Sequence, residues 1–90
     1  MEIRDFLSMT EDLDDRRTIY ADAENPLPLG IIRVTDDAAV LLAARKPLTL
    51  KDAKKQLNLL KKENKLMFFL KGNPRYVFGF RIEEDRLLLK

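Results

Sequence analysis

Three stretches of the chain are apolar without alternation: Ala38-Ala39-Val40-Leu41-Leu42-Ala43-Ala44, Leu66-Met67-Phe68-Phe69-Leu70 and Leu87-Leu88-Leu89. Short and bounded by turn residues, they read as strands. A strand with one wet face alternates apolar and polar side chains, so these three demand cover on both faces. Only two segments show helical spacing, and two helices cover one face of a sheet. The remainder needs a curled sheet, a symmetric second copy or a different protein. At ~25 cal/mol per Å² of apolar area, leaving several such side chains in water forfeits several kcal/mol, comparable to the whole stability of a small domain. The expectation is a homodimer or a dedicated protein partner.

The first helical segment places Ile3, Phe6, Leu7, Thr10 and Leu13 on one face, with Glu2 and Asp5 at the positive end of its dipole. The second is marked by Thr49 as N-cap, Asp52 three residues on, and the apolar stripe Leu50, Ala53, Leu57 and Leu60. Between them, Thr18–Ala21 has strand content, and the prolines of Asn25–Gly30 mark a loop. Ile31–Thr35 and Ala38–Ala44 form a hairpin about Asp36-Asp37. Downstream, Leu66–Leu70 and Tyr76–Ile82 flank the turn Gly72–Arg75, and Leu87–Leu89 follows a turn at Glu83–Arg86.

The resulting order is α-β-β-β-α-β-β-β, and a shift of 47 or 48 residues aligns its halves. Ile3-Arg4-Asp5 meets Leu50-Lys51-Asp52, Asn25-Pro26 meets Asn73-Pro74, and Arg33-Val34 meets Arg81-Ile82. The expected fold is a single α+β domain over residues 1–90: two αβββ halves, 1–45 and 46–90, related by a pseudo-two-fold axis. They share a mainly antiparallel sheet of about six strands with both helices on one face.

Chemistry is scarce. With no Cys and no His, disulfides, the usual zinc sites, thiol chemistry and His-based triads are excluded. Ser8 has no activating base and no nucleophile-elbow context, and the glycines are too scattered to cradle a phosphate. The acidic clusters Glu11–Asp15, Asp36-Asp37 and Glu83–Asp85 suit turns better than a cation loop. The reading is no enzyme, no cofactor and no metal. The first twenty residues carry charges throughout, and the longest apolar run is far below the ~20 residues of a membrane-spanning helix; a cytoplasmic setting is expected.

Charge is split along the chain. Residues 1–44 hold four arginines against ten carboxylates (net −6), and residues 45–90 hold thirteen cations against five carboxylates (net +8). If the second helix runs on, Lys51, Lys54, Lys55, Lys61, Lys62 and Lys65 share an arc of roughly 120°, and Arg75 at the hairpin turn extends it toward a phosphate-binding surface. The succession of helix and basic hairpin over Leu50–Ile82 is similar to the end of a winged-helix domain, without the helix pair that precedes it there. Leu59 lies opposite the helix's apolar stripe. Together with Leu42, Met67 and Leu88 on the apolar strands, it forms the candidate protein interface. Two functions follow: a self-associating or protein-binding module, preferred because catalytic groups are missing, and nucleic-acid binding through the lysine arc as the alternative.

Overall fold

The computed structural model describes residues 1–90. Helix α1 (Ile3–Met9) leads to β1 (Thr18–Ala21), β2 (Leu27–Val34) and β3 (Ala38–Ala43). Helix α2 (Leu50–Leu57) leads to β4 (Lys65–Leu70), β5 (Asn73–Tyr76), β6 (Phe80–Glu83) and β7 (Arg86–Leu89). The fold is α+β with one mixed sheet of seven strands in the order β5-β4-β3-β2-β1-β7-β6. Two neighbouring pairs, β1·β7 and β3·β4, are parallel; the other four are antiparallel.

The sheet curls until its two end strands, β5 and β6, are consecutive in the chain and joined by Val77–Gly79. Across that junction Val77 N–H bonds Leu66 O in β4, while Phe78 N–H bonds Lys90 O just beyond β7. The expected single strand Tyr76–Ile82 is thus two, because the chain leaves one partner and takes up the other. In the first half β2 makes the same switch, from β1 to β3, through a register irregularity between Leu29 and Ile31. Pro28 sits inside β2 rather than in a loop: its fixed φ suits extended backbone, and its carbonyl accepts from Ala44 N–H at 3.1 Å.

Backbone pairing repeats at the offset seen in the sequence. The parallel pairs Thr18↔Arg86 through Ala21↔Leu89 correspond to Lys65↔Ala38 through Phe68↔Leu41. Tyr20↔Pro28 corresponds to Met67↔Tyr76, and Arg33↔Val40 to Arg81↔Leu88. Each helix start is held by the other half. Ile3 and Arg4 donate to Asn64 O and Lys62 O; Leu50 and Lys51 donate to Arg17 O and Asp15 O.

That exchange explains why α2 stops at Leu57 and does not continue toward Lys65. Residues 62–64 are needed as acceptors for the first turn of α1, and Lys62 Nζ closes the end of α2 on Asn58 O and Leu60 O. Thr49 caps α2 as expected, its hydroxyl accepting from Asp52 N–H at 3.2 Å.

Side chains of both helices, Ile3, Phe6, Leu50, Ala53 and Leu57, share one core with Ile19, Leu29, Leu41, Leu66, Phe68, Val77, Leu87 and Leu89 from the sheet's concave side. Phe6 packs edge-to-face on Phe80 at 6.2 Å between centroids. Curling therefore covers much of the apolar strand surface within one copy. The second half does not resemble a winged helix, since β4 pairs in parallel with β3. No helix is long and apolar enough to cross a membrane.

Candidate interaction surfaces

The lysines anticipated on one arc are separated. Lys51, Lys54 and Lys55 lie on α2, whereas Lys61 and Lys62 follow it and Lys65 opens β4. Lys54 Nζ is 3.0 Å from Asp15 Oδ1 and largely covered, and Lys62 is spent on the carbonyls of Asn58 and Leu60 just past α2. Lys65 Nζ stands 5.3 Å from the centroid of the Tyr76 ring. Arg75 is exposed on β5, opposite Phe68 and next in the chain to Tyr76. The charge split does not become two territories: Arg4–Glu63, Lys54–Asp15 and Arg81–Asp22 each join the halves.

Two carboxylates are held well ionised. Arg16 donates from Nε and Nη2 to both oxygens of Asp14 (3.1 and 2.9 Å), and its backbone N–H adds a third bond, which lowers Asp14 from 3.8 to about 2. The Arg81 guanidinium grips Asp22 at 3.2 and 3.1 Å and lowers its pKa likewise. A carboxylate depressed in the folded state adds stability above its unfolded pKa, lost as pH falls through the folded value. The melting temperature should therefore decline between about pH 4 and about pH 2. Asp22→Asn should flatten part of that decline, and a melting temperature insensitive to this substitution across the window would contradict the assignment.

Among the candidate interface residues, Leu42 and Met67 lie on the outer face of the sheet, opposite the core-facing Leu41, Leu66 and Phe68, and both are part-exposed. Leu59 is 84% exposed but stands apart, beyond the end of α2. Leu88 drops out as an exposed contact because it is fully buried, flanked in register by Tyr20 and Arg81, whose long side chains shelter it.

The sequence reading missed the neighbours of Leu42 and Met67. Ile31 pairs with Leu42, Val40 with Met67, Met67 with Tyr76, and Phe69 with Pro74. Residues directly opposite share a face, so Ile31, Val40, Leu42, Met67, Phe69 and Tyr76 form one outer surface across β2–β5, apolar except for Arg33 opposite Val40. Ile31 remains 50% and Tyr76 45% exposed.

The 47–48-residue correspondence supplies an internal control. The equivalent outer face of the other half carries Gly79 for Ile31, Leu88 for Val40, Lys90 for Leu42, Tyr20 for Met67, Asp22 for Phe69 and Pro28 for Tyr76. That surface is the more polar of the two: Asp22 is bound to Arg81, and Arg86 lies 5.0 Å from the centroid of the Tyr20 ring. The same pairing pattern therefore carries a more apolar coat in one half than in the other. The offset itself was the signal in the sequence that sets Phe69 against Asp22 and Leu42 against Lys90.

No group of three or more acidic side chains converges to hold a metal ion. Comparisons with protein families, with characterised proteins and with solved structures return no match.

Proposed function

We propose that this protein is a non-catalytic interaction module, built from a duplicated αβββ unit, that self-associates through the outer face of β3, β4 and β5. The observation that carries this reading is the contrast between two corresponding sheet faces, one more apolar than the other, with Leu42 and Phe69 standing where its counterpart has Lys90 and Asp22. Apolar surface left open to water suits contact with another surface. A second copy is the favoured occupant. Asp36-Asp37 precede β3, and Lys71 follows β4 on the same, parallel strand pair. A half-turn about the centre of the face brings the acidic turn of each copy toward the basic turn of the other.

Sedimentation velocity from about 1 to about 200 µM should show a reversible monomer–dimer equilibrium. A single monomeric boundary across the range would overturn the proposal. Salt-sensitive retention of DNA or RNA, weakened when Lys54, Lys55, Lys61 and Lys62 are changed to Glu, would favour polyanion binding instead.

A further inference from the structure

The change of partner along β2 leaves part of that strand with an open edge. Thr35 N–H bonds Ala38 O at 2.8 Å, so the hydrogen-bonded pairs with β3 alternate back through Arg33↔Val40 and Ile31↔Leu42. The N–H and C=O groups of Ile32 and Val34 therefore point away from β3. On that side β1 pairs only with Leu27 and Pro28, and no other backbone group bonds Ile32 or Val34. Val34 is 52% exposed.

The other free edges are guarded. Pro74 on β5 faces outward, because the Leu70↔Asn73 pair closes its hairpin, and it has no N–H to offer. On β6, Phe80 is packed against Phe6, and Arg81 is held by Asp22 and Glu83. At the edge of β2 the corresponding positions are smaller or free: Ile32 stands for Phe80, Ala53 for Phe6, and Arg33, which stands for Arg81, has no ion pair.

Charge is ordered along this edge. Ala43–Pro47, which links β3 to α2, crosses β2 with Lys46 O packed against Gly30, and Leu48 N–H bonds Leu29 O at 2.8 Å. The exposed Arg45 and Lys46, in no ion pair, thus stand near its first end, Arg33 at its middle and Asp36-Asp37 at its last. A second copy is a poor occupant, since two such edges paired about Arg33 would set Arg33 against Arg33.

We propose that the edge of β2 at Ile32–Val34 takes an extended segment of a partner protein as an added antiparallel strand, with a carboxylate opposite Arg33 and apolar residues opposite Ile32 and Val34. A second carboxylate toward Arg45 and Lys46, and a cation toward Asp36-Asp37, complete the match. Such a strand extends the sheet beside β2 and leaves the outer face of β3–β5 uncovered, so it does not depend on self-association.

The test uses the full chain and a blocked five-residue peptide, acetyl-Lys-Val-Glu-Val-Glu-amide, which has this charge order when laid antiparallel. Amide NMR shifts should move saturably at Ile32–Thr35, with slowed hydrogen exchange at Ile32 and Val34. The charge-reversed acetyl-Glu-Val-Lys-Val-Lys-amide should bind about tenfold more weakly, and Arg33→Glu, at an exposed position, should remove that preference. N-methylation of both valines removes the N–H groups that face Ile32 and Val34, and should abolish saturable binding to the unaltered protein. Absence of saturable shifts at Ile32–Thr35, equal affinity for the two charged peptides, or undiminished binding of the N-methylated one would each overturn the proposal.

Discussion

Phe6→Ala should cost about 3–5 kcal/mol, because the ring is fully enclosed and its loss leaves a cavity that helix and sheet cannot both collapse into. Against a total of about 5–15 kcal/mol for a domain of this size, that is a loss of about 15–30 °C in melting temperature. The effect is large because α1 is short. Its seven residues, Ile3–Met9, bury chiefly Ile3 and Phe6, so Phe6 is half of what ties the helix to the sheet. Phe78→Ala is the matched control: the same truncation at an open position should stay within about 0.5 kcal/mol. Urea melts of the two variants decide it, and equal midpoints would show that Phe6 is not enclosed.

Gly30→Ala should be the most damaging addition of a single methyl group. Its Cβ would meet Lys46 O at 2.1 Å and Ala44 Cβ at 2.6 Å. A carbonyl cannot swing aside like a flexible side chain. The crossing segment must lift, straining or breaking the bonds from Ala44 to Pro28 and from Leu48 to Leu29. The expected cost is about 2–4 kcal/mol, from overpacking plus weakened backbone pairing. Gly79→Ala meets nothing within 4 Å and should be within about 0.5 kcal/mol of neutral. A denaturant midpoint lowered only for Gly30→Ala, with the m-value unchanged, is the expected pattern. Similar midpoints for the two variants would mean that Ala43–Pro47 does not lie where the structure has it.

Much of this architecture was legible because local signals and global packing agreed. The cap at Thr49, the stripe Leu50-Ala53-Leu57 and the hairpin about Asp36-Asp37 announce themselves in a few residues each. The end of α2 did not, because Lys61 and Lys62 are good helix formers and only the distant amides of Ile3 and Arg4 require that segment to be non-helical. The split of Tyr76–Ile82 was hidden for a similar reason: a change of pairing partner leaves no mark on the strand that makes it. The non-alternating strands predict cover on both faces; within one copy the concave face is covered, while Leu42, Met67 and Phe69 stay part-exposed on the other. Curling buries Leu41, Leu66 and Leu87 on the concave side, and neighbouring long side chains bury Leu88 on the convex side. What is left over at Ile31, Leu42, Met67, Phe69 and Tyr76 depends on the register of β2 to β5, which no local signal in the sequence fixes.

The most direct measurement is therefore an exchange of coats. Leu42→Lys combined with Phe69→Asp copies onto the apolar face the residues, Lys90 and Asp22, that its counterpart already carries. This variant should keep its circular dichroism spectrum and melt within a few degrees of the parent. It should also sediment as a monomer at concentrations where the parent is dimeric. Unfolding of the variant would show that those apolar side chains serve the fold, and persistence of the dimer would show that the face is not where two copies meet.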